Sequence, residues 1–230
     1  MTKVDLPPID SAHAAATRDR ILDSAERLFA EHGVAGTSVR MITDQAQVNV
    51  AAVNYHFGTK DKLVGEVIAR RFSSLEGARA AALDEIEARA AREGRAPTAY
   101  ELVEALIAPA FAQALSADTG WSHFIRFISR LAWEPGVEDL APPESALRLL
   151  ERFDAALCRA VPTLSTDHGK RLWRIAFMRG AAQHALMTIT ALRTGRVPKA
   201  MQALADAAAA TDPDVIKREL FAFLAAGLSA

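Results

Sequence analysis

The chain has 230 residues, half of them hydrophobic, with a formal net charge of −1 and one cysteine, Cys158. That length and apolar share suffice for one large or two small packed domains, whereas near-neutrality excludes a polyanion-binding role carried by bulk charge. A single thiol excludes an internal disulfide and fits a reducing, cytoplasmic compartment, and no run of eighteen apolar residues is present to cross a bilayer.

Residues 1–14 are polar, proline-bearing and aperiodic, the pattern of a flexible arm; with Asp5, Pro7, Pro8 and Asp10 they do not resemble a signal peptide. From Thr17 the apolar positions Ile21, Leu22, Ala25, Leu28 and Phe29 make one helical stripe, which Gly33 stops. Thr37 and Ser38 precede Val39, Met41 and Ile42 and predict the start of a short second helix, interrupted at Gln47, Val48 and Asn49. Asn49 can then cap a third helix over residues 50–57, in which Val53 and Phe57 share an inward face. The other face carries Asn49, Val50, Ala52, Asn54, Tyr55 and His56, a flat set of small, amide, phenol and imidazole groups suited to base edges, thymine methyls and phosphates in a major groove. Thr37, Ser38, Arg40 and Lys60 flank that face and can contact the DNA backbone.

The run from Ser38 to Leu63 resembles the helix-turn-helix signature of TetR family repressors, and Tyr55, His56, Phe57, Gly58, Thr59 and Lys60 are its most specific part. The resemblance implies a three-helix DNA-binding domain followed by a helical effector-binding and dimerisation domain, acting on double-stranded operator DNA. Two positions depart from the pattern. Gln47 stands where a glycine is common in the turn, and a positive φ there carries a strain of about 1–2 kcal/mol. Val50 stands where a basic or small residue is frequent, which moves one contact toward a thymine methyl. Residues 1–72 hold nine basic and nine acidic side chains, so affinity for DNA has to come from where Arg40, Lys60 and Lys62 sit.

After Gly58, Thr59 can cap a fourth helix through Lys60, Leu63, Val67, Ile68, Phe72 and Leu75; its N-terminal amides suit a phosphate, and its other end is the mechanical link to the C-terminal portion of the chain. Further helices are expected over residues 78–92, 98–115, 119–133, 144–161, 165–194 and 212–228, with 134–143 a loop and 197–210 helical in part. No alternating β pattern occurs, so the fold class is all-α, organised as an arm (1–14), a helix-turn-helix domain (15–72) and an effector-binding and dimerisation domain (73–230).

The two long late helices are apolar on more than one side: Ile216, Leu220, Phe223, Leu224 and Gly227 form one stripe of the last, and Phe221, Ala225 and Leu228 a second. Such surplus predicts a homodimer through these helices, with Gly180, Ala181 and Ala182 permitting close approach; burial within one subunit is the alternative. The aromatics Phe111, Trp121, Phe124, Phe127, Trp133, Phe153, Trp173 and Phe177 are either core or the lining of an apolar effector cavity, with His184, Gln183, Arg126, Arg130 or Arg174 at a polar end. Around Phe124 to Ile128, Leu172 to Met178, Gly180 to Ala182 and Phe223 to Gly227 the chain also resembles the fatty-acid-responsive PsrA-like branch of the family, which implies a long-chain acyl effector.

No two of the six histidines lie three or four apart, so no helical metal pair exists. With no phosphate-cradling glycine loop and no nucleophile elbow, neither a catalytic residue nor a cofactor is expected, and Cys158 in an apolar run reads as a small buried hydrophobe. The rival reading from another class is a helical carrier or sensor of a lipid-like ligand that does not bind an operator, kept open by Gln47 and Val50.

Overall fold

A computed structural model describes residues 9–131, 134 and 144–229, the first four of them by backbone alone. Residues 1–8 of the expected arm over 1–14, Trp133, and residues 135–143 of the expected loop over 134–143 lie outside the described residues. Eleven helices run in order among those described: α1 (Ile9–His32), α2 (Val39–Ala46), α3 (Val50–Phe57), α4 (Lys60–Arg92), α5 (Ala99–Leu115), α6 (Thr119–Leu131), α7 (Glu144–Ala160), α8 (Thr163–Thr166), α9 (His168–Arg193), α10 (Gln202–Ala209) and α11 (Pro213–Ser229), with one 3₁₀ turn at Lys199–Met201. None is long and apolar enough to cross a membrane.

Two boundaries differ from expectation. Helix α1 begins at Ile9, not at Thr17, because Ala14, Ala15 and Ala16 have high helix propensity and nothing between them and Thr17 breaks the helix. Helix α4 runs unbroken through residue 76: Gly77 costs about 1 kcal/mol, and the burial of Leu75, Leu83, Ile86 and Ala90 outweighs it.

The chain forms two compact units, Met1–Arg71 with Arg126–Ala141, and Phe72–Ile125 with Pro142–Ala230. The end of α6 therefore joins the first unit, where the expected division at residue 72 would leave it in the second. The cause is local. Phe127 is fully buried against Phe29, ring centroids 5.4 Å apart, Arg130 donates to the Glu31 carbonyl, and Glu134 accepts from the Ala35 amide at 2.7 Å. Gly33, at φ +78°, makes that approach possible: a Cβ there would stand 2.5 Å from Glu134 Oε1.

In the first unit Ile21, Leu22, Ala25 and Phe29 of α1 are buried with Ile42, Val53, Phe57, Leu63 and Val67. Glu26 is buried among them. Its carboxylate survives there because Arg70 (3.0 Å) and Arg71 (2.9 and 2.7 Å) both donate to it, tying α1 to α4.

The second unit is built on α5, α9 and α11, which pack on one another, with α7 against α5. A capping box starts α5: Glu101 accepts from the Thr98 amide at 2.8 Å while Thr98 Oγ1 accepts from the Glu101 amide at 3.2 Å. Phe221 is fully buried edge-on to Phe111 at 6.0 Å. Of the two stripes read on the last helix, Phe221, Leu224, Ala225 and Leu228 face the core, whereas Phe223 is 69% exposed. Helix α9 buries Met178, Ala182 and Ile189 and turns Leu172, Trp173 and Phe177 outward.

Candidate nucleic-acid interface

The α2–turn–α3 segment is held at each corner by a side chain its sequence supplies. Ser38 caps α2, its Oγ accepting from the Met41 amide at 3.2 Å, and Asn49 caps α3, its Oδ1 accepting from the Ala52 amide at 2.8 Å. Between them Gln47 adopts φ 54° and ψ 48°, the left-handed conformation a glycine would take without strain. That conformation lets the Val48 amide reach the Thr43 carbonyl at 3.0 Å and closes the turn.

Ile42, Ala46, Val53 and Phe57 are buried beneath this segment. Burying one side fixes the other. Asn49, Val50, Ala51, Asn54 and Tyr55 are exposed, Tyr55 by 83%, and no hydrogen bond joins the Asn54 amide or Tyr55 hydroxyl to another described residue. Ala52 and His56 are half-buried, the imidazole edge-on to the Tyr55 ring at 5.0 Å. Arg40 is exposed, with Asp44 only at 4.0 Å. Thr59 Oγ1 accepts from the Lys62 amide at 3.2 Å and starts α4, beside half-buried Lys60. Thr37 sits apart from this surface: it is buried, and its hydroxyl donates to the Gly33 carbonyl at 2.7 Å to close the α1–α2 connection.

Beside α3 lies a groove of about 680 Å³ lined by His13, Ala14, Thr17 and Arg20 of α1 and by Gln47, Val48, Asn49, Ala52 and His56. It contains no carboxylate, and Arg20 has no ion pair among the described residues. Arg18, by contrast, is engaged by Glu66 and the Phe57 ring. Apolar periodicity leaves His13, Thr17 and Arg20 unmarked, although spacings of four and three place them on one face of α1. The groove is cationic and donor-rich, a setting for phosphate oxygens.

In the second unit Phe111 lines a pocket of about 200 Å³, with Leu115, Ile189, Leu192, Arg193 and residues from Ala205 to Ile216, and the other candidate aromatics are not in that lining. Trp121 and Phe124 are buried edge to face at 5.7 Å, Phe153 is core, and Phe127 belongs to the first unit. Trp173, Phe177 and His184 lie on the outside of α9. Ala205, Ala208, Ala209 and Arg193 share that wall with Phe111 and four aliphatic side chains, and of these only Phe111 carries an aromatic signal. Among the described residues no three His, Cys, Asp or Glu side chains are placed to hold a metal ion.

Residues 21–67 match the family model for bacterial regulatory proteins of the tetR family, and residues 104–227 match that for the tetracyclin repressor-like C-terminal domain. Over 100 residues the chain is 32% identical to the HTH-type transcriptional repressor KstR2 of Rhodococcus jostii (strain RHA1), covering 43% of this chain and 49% of that protein. Over 48 residues it is 54% identical to the HTH-type transcriptional repressor Rv3405c of Mycobacterium tuberculosis (strain ATCC 25618 / H37Rv), covering 21% of this chain and 26% of that one. The matches thus span about half of one curated relative and a quarter of the other. The fold is similar to that of the crystal structure of the probable transcriptional regulatory protein RHA5900, with a TM-score of 0.54 at 20% identity over 93% of this chain and 99% of that one.

Proposed function

From the premise that the chain belongs to the TetR family of bacterial regulatory proteins, we propose that it is a ligand-responsive repressor that binds double-stranded operator DNA as a homodimer. One observation carries this reading: α3 is clamped by caps at both ends and by Val53 and Phe57 beneath, and it leaves Asn54 and Tyr55 exposed and uncommitted. A rigid, flat, polar helix face suits a major groove.

In this reading Asn54 and Val50 meet base edges and a thymine methyl, while Asn49, Ala52, Tyr55 and His56 mix base and phosphate contacts. Ser38, Arg40 and Lys60 position the backbone, and Arg20 with Thr17 holds a further phosphate at the groove beside α3. The dimer forms through α9 and α11. Trp173 and Phe177 are 65% and 66% exposed, Gly180 and Gly227 have open space where a Cβ would stand, and such apolar faces need a cover. Two α3 helices related by the dimer axis read half-sites one helical turn apart, about 34 Å, so the operator is palindromic. A small hydrophobic effector in the second unit releases the DNA by favouring a conformer with the wrong half-site spacing, through α4, which is continuous from Lys60 to Arg92.

The test is selection from randomised duplex DNA at moderate salt, followed by sequencing. A palindrome is expected, and Tyr55→Ala is expected to lower affinity for it by about 1–3 kcal/mol while leaving thermal stability unchanged. Recovery of no palindrome at any salt overturns the reading in favour of a carrier that binds ligand alone.

A further inference from the structure

The 200 Å³ pocket between the C-terminal end of α5, the C-terminal end of α9, and α10 with the start of α11 has an apolar wall and one charged group. Phe111, Leu115, Ile189 and Ile216 supply the apolar surface, and Ala205, Ala208 and Ala209 leave the volume empty because each presents only a methyl. Arg193, the last residue of α9, stands at the rim.

Its guanidinium is held in place. Nε donates to the Ala114 carbonyl at 3.1 Å and Nη2 to the hydroxyl of buried Ser122. Neither partner is anionic, no carboxylate lines the pocket, and Nη1 makes no hydrogen bond among the described residues. A solvent-accessible arginine oriented by two neutral acceptors, with no ion pair among the described residues and a place in the wall of an apolar hollow, suits an anion that carries hydrocarbon. The only other polar side chain in the wall is Thr211, whose hydroxyl is donated to the Ala207 carbonyl at 2.7 Å, so the wall selects against polar bodies.

Size completes the description. A cavity of about 150 Å³ takes benzene, whereas drug-sized ligands occupy roughly 300–1,000 Å³. We infer that this pocket binds a compact monocarboxylate, its carboxylate on Arg193 Nη1 and an apolar body of about six to eight carbons against Phe111, Ile189 and Ile216. The inference rests on the reading above for its consequence, that the acid is the effector releasing DNA, and a pocket of this size is too small for the long-chain acyl group implied by the PsrA-like resemblance.

Titration calorimetry on the full chain with benzoate and octanoate, set against benzamide, octanamide and palmitate, tests it. The two short acids are expected to bind at least tenfold more tightly than their amides and than palmitate. Arg193→Gln is expected to erase the acid preference. Ala208→Phe, which fills the hollow and keeps the arginine in the chain, is expected to abolish binding of acid and amide alike. Equal binding of acid and amide, preference for palmitate, binding that survives Ala208→Phe, or no binding of any probe overturns the site. A chain that binds the acids but selects no DNA refutes the regulator reading alone; one that selects a palindrome but ignores the acids refutes the pocket alone.

Discussion

The two units expose opposite kinds of surface, and the contrast separates their roles. The first buries its large apolar side chains, Phe29, Phe57 and Phe127 among them, and turns amides, a phenol and unpaired cations outward around α3. The second fills its core with Phe111, Phe153 and Phe221 and still has Trp173, Phe177 and Phe223 left on its outside. Only the second surface is unfavourable in the isolated chain, as wetted hydrocarbon, whereas water satisfies the exposed hydrogen-bonding groups of the first. In the reading proposed above each meets a different partner: a polyanionic duplex for the first, a second copy for the second. An aromatic residue in this chain is therefore not a core residue by default.

The sharpest way to break that contrast is to truncate one aromatic from each surface. Phe127→Ala removes a fully buried ring packed on Phe29 and is expected to cost about 3–5 kcal/mol in chemical denaturation. Trp173→Ala is expected to cost the subunit less than about 0.5 kcal/mol, yet to weaken self-association by about 2 kcal/mol or more in sedimentation on dilution. Equal losses of subunit stability in the two variants would mean that Trp173 is core and that the outward face of α9 needs no partner.

A smaller effect is expected where the second unit uses charge. The Arg95 guanidinium, donating at 2.8 Å, holds the Glu101 carboxyl well below the usual carboxylate range; burial opposes the shift, and the Thr98 amide, Arg89 and the Thr98 hydroxyl add to it. A depressed carboxylate binds fewer protons folded than unfolded, so its stabilisation is present above the ordinary value of 4.5 and is lost as pH falls through the folded one. Glu101→Gln is expected to lower stability by about 1–2 kcal/mol at pH 7, the scale of a lost helix cap, and by progressively less below pH 4.5. A deficit that stays constant down to acid pH would assign the loss to packing instead of charge.

The same division governs how much was legible in the sequence. Helices α2, α3 and α5 fall at the predicted residues because Ser38, Asn49 and Thr98 cap them locally and each cap is a two- or three-residue signal. The inward pair Val53 and Phe57 and the outward Asn54 and Tyr55 are set by helical spacing alone. Propensity misjudges where helices end when no breaker is present, as at the start of α1 and along α4. It also cannot tell which of two apolar stripes a helix buries: Phe221 and Phe223 differ by 69 percentage points of exposure and by nothing in local sequence. The pocket at Arg193 was the least legible, because long-range packing sets it and alanines line it.

The smallest effect concerns the turn that aims α3. Gln47 is the one described non-glycine residue with a positive φ, at 54°. The left-handed conformation costs it about 1–2 kcal/mol, while a glycine there loses about 0.5–1 kcal/mol more conformational freedom on folding. Gln47→Gly is therefore expected to raise stability by no more than about 1.5 kcal/mol. Gln47 also lines the groove beside Arg20, so deleting its amide removes a donor from the surface proposed to face DNA. The two effects carry opposite signs in two measurements: a slightly higher midpoint of thermal unfolding together with a slightly weaker operator affinity. If both rise, strain in the turn was holding α3 away from its best pose; if stability falls, the side chain of Gln47 makes contacts that outweigh its backbone cost.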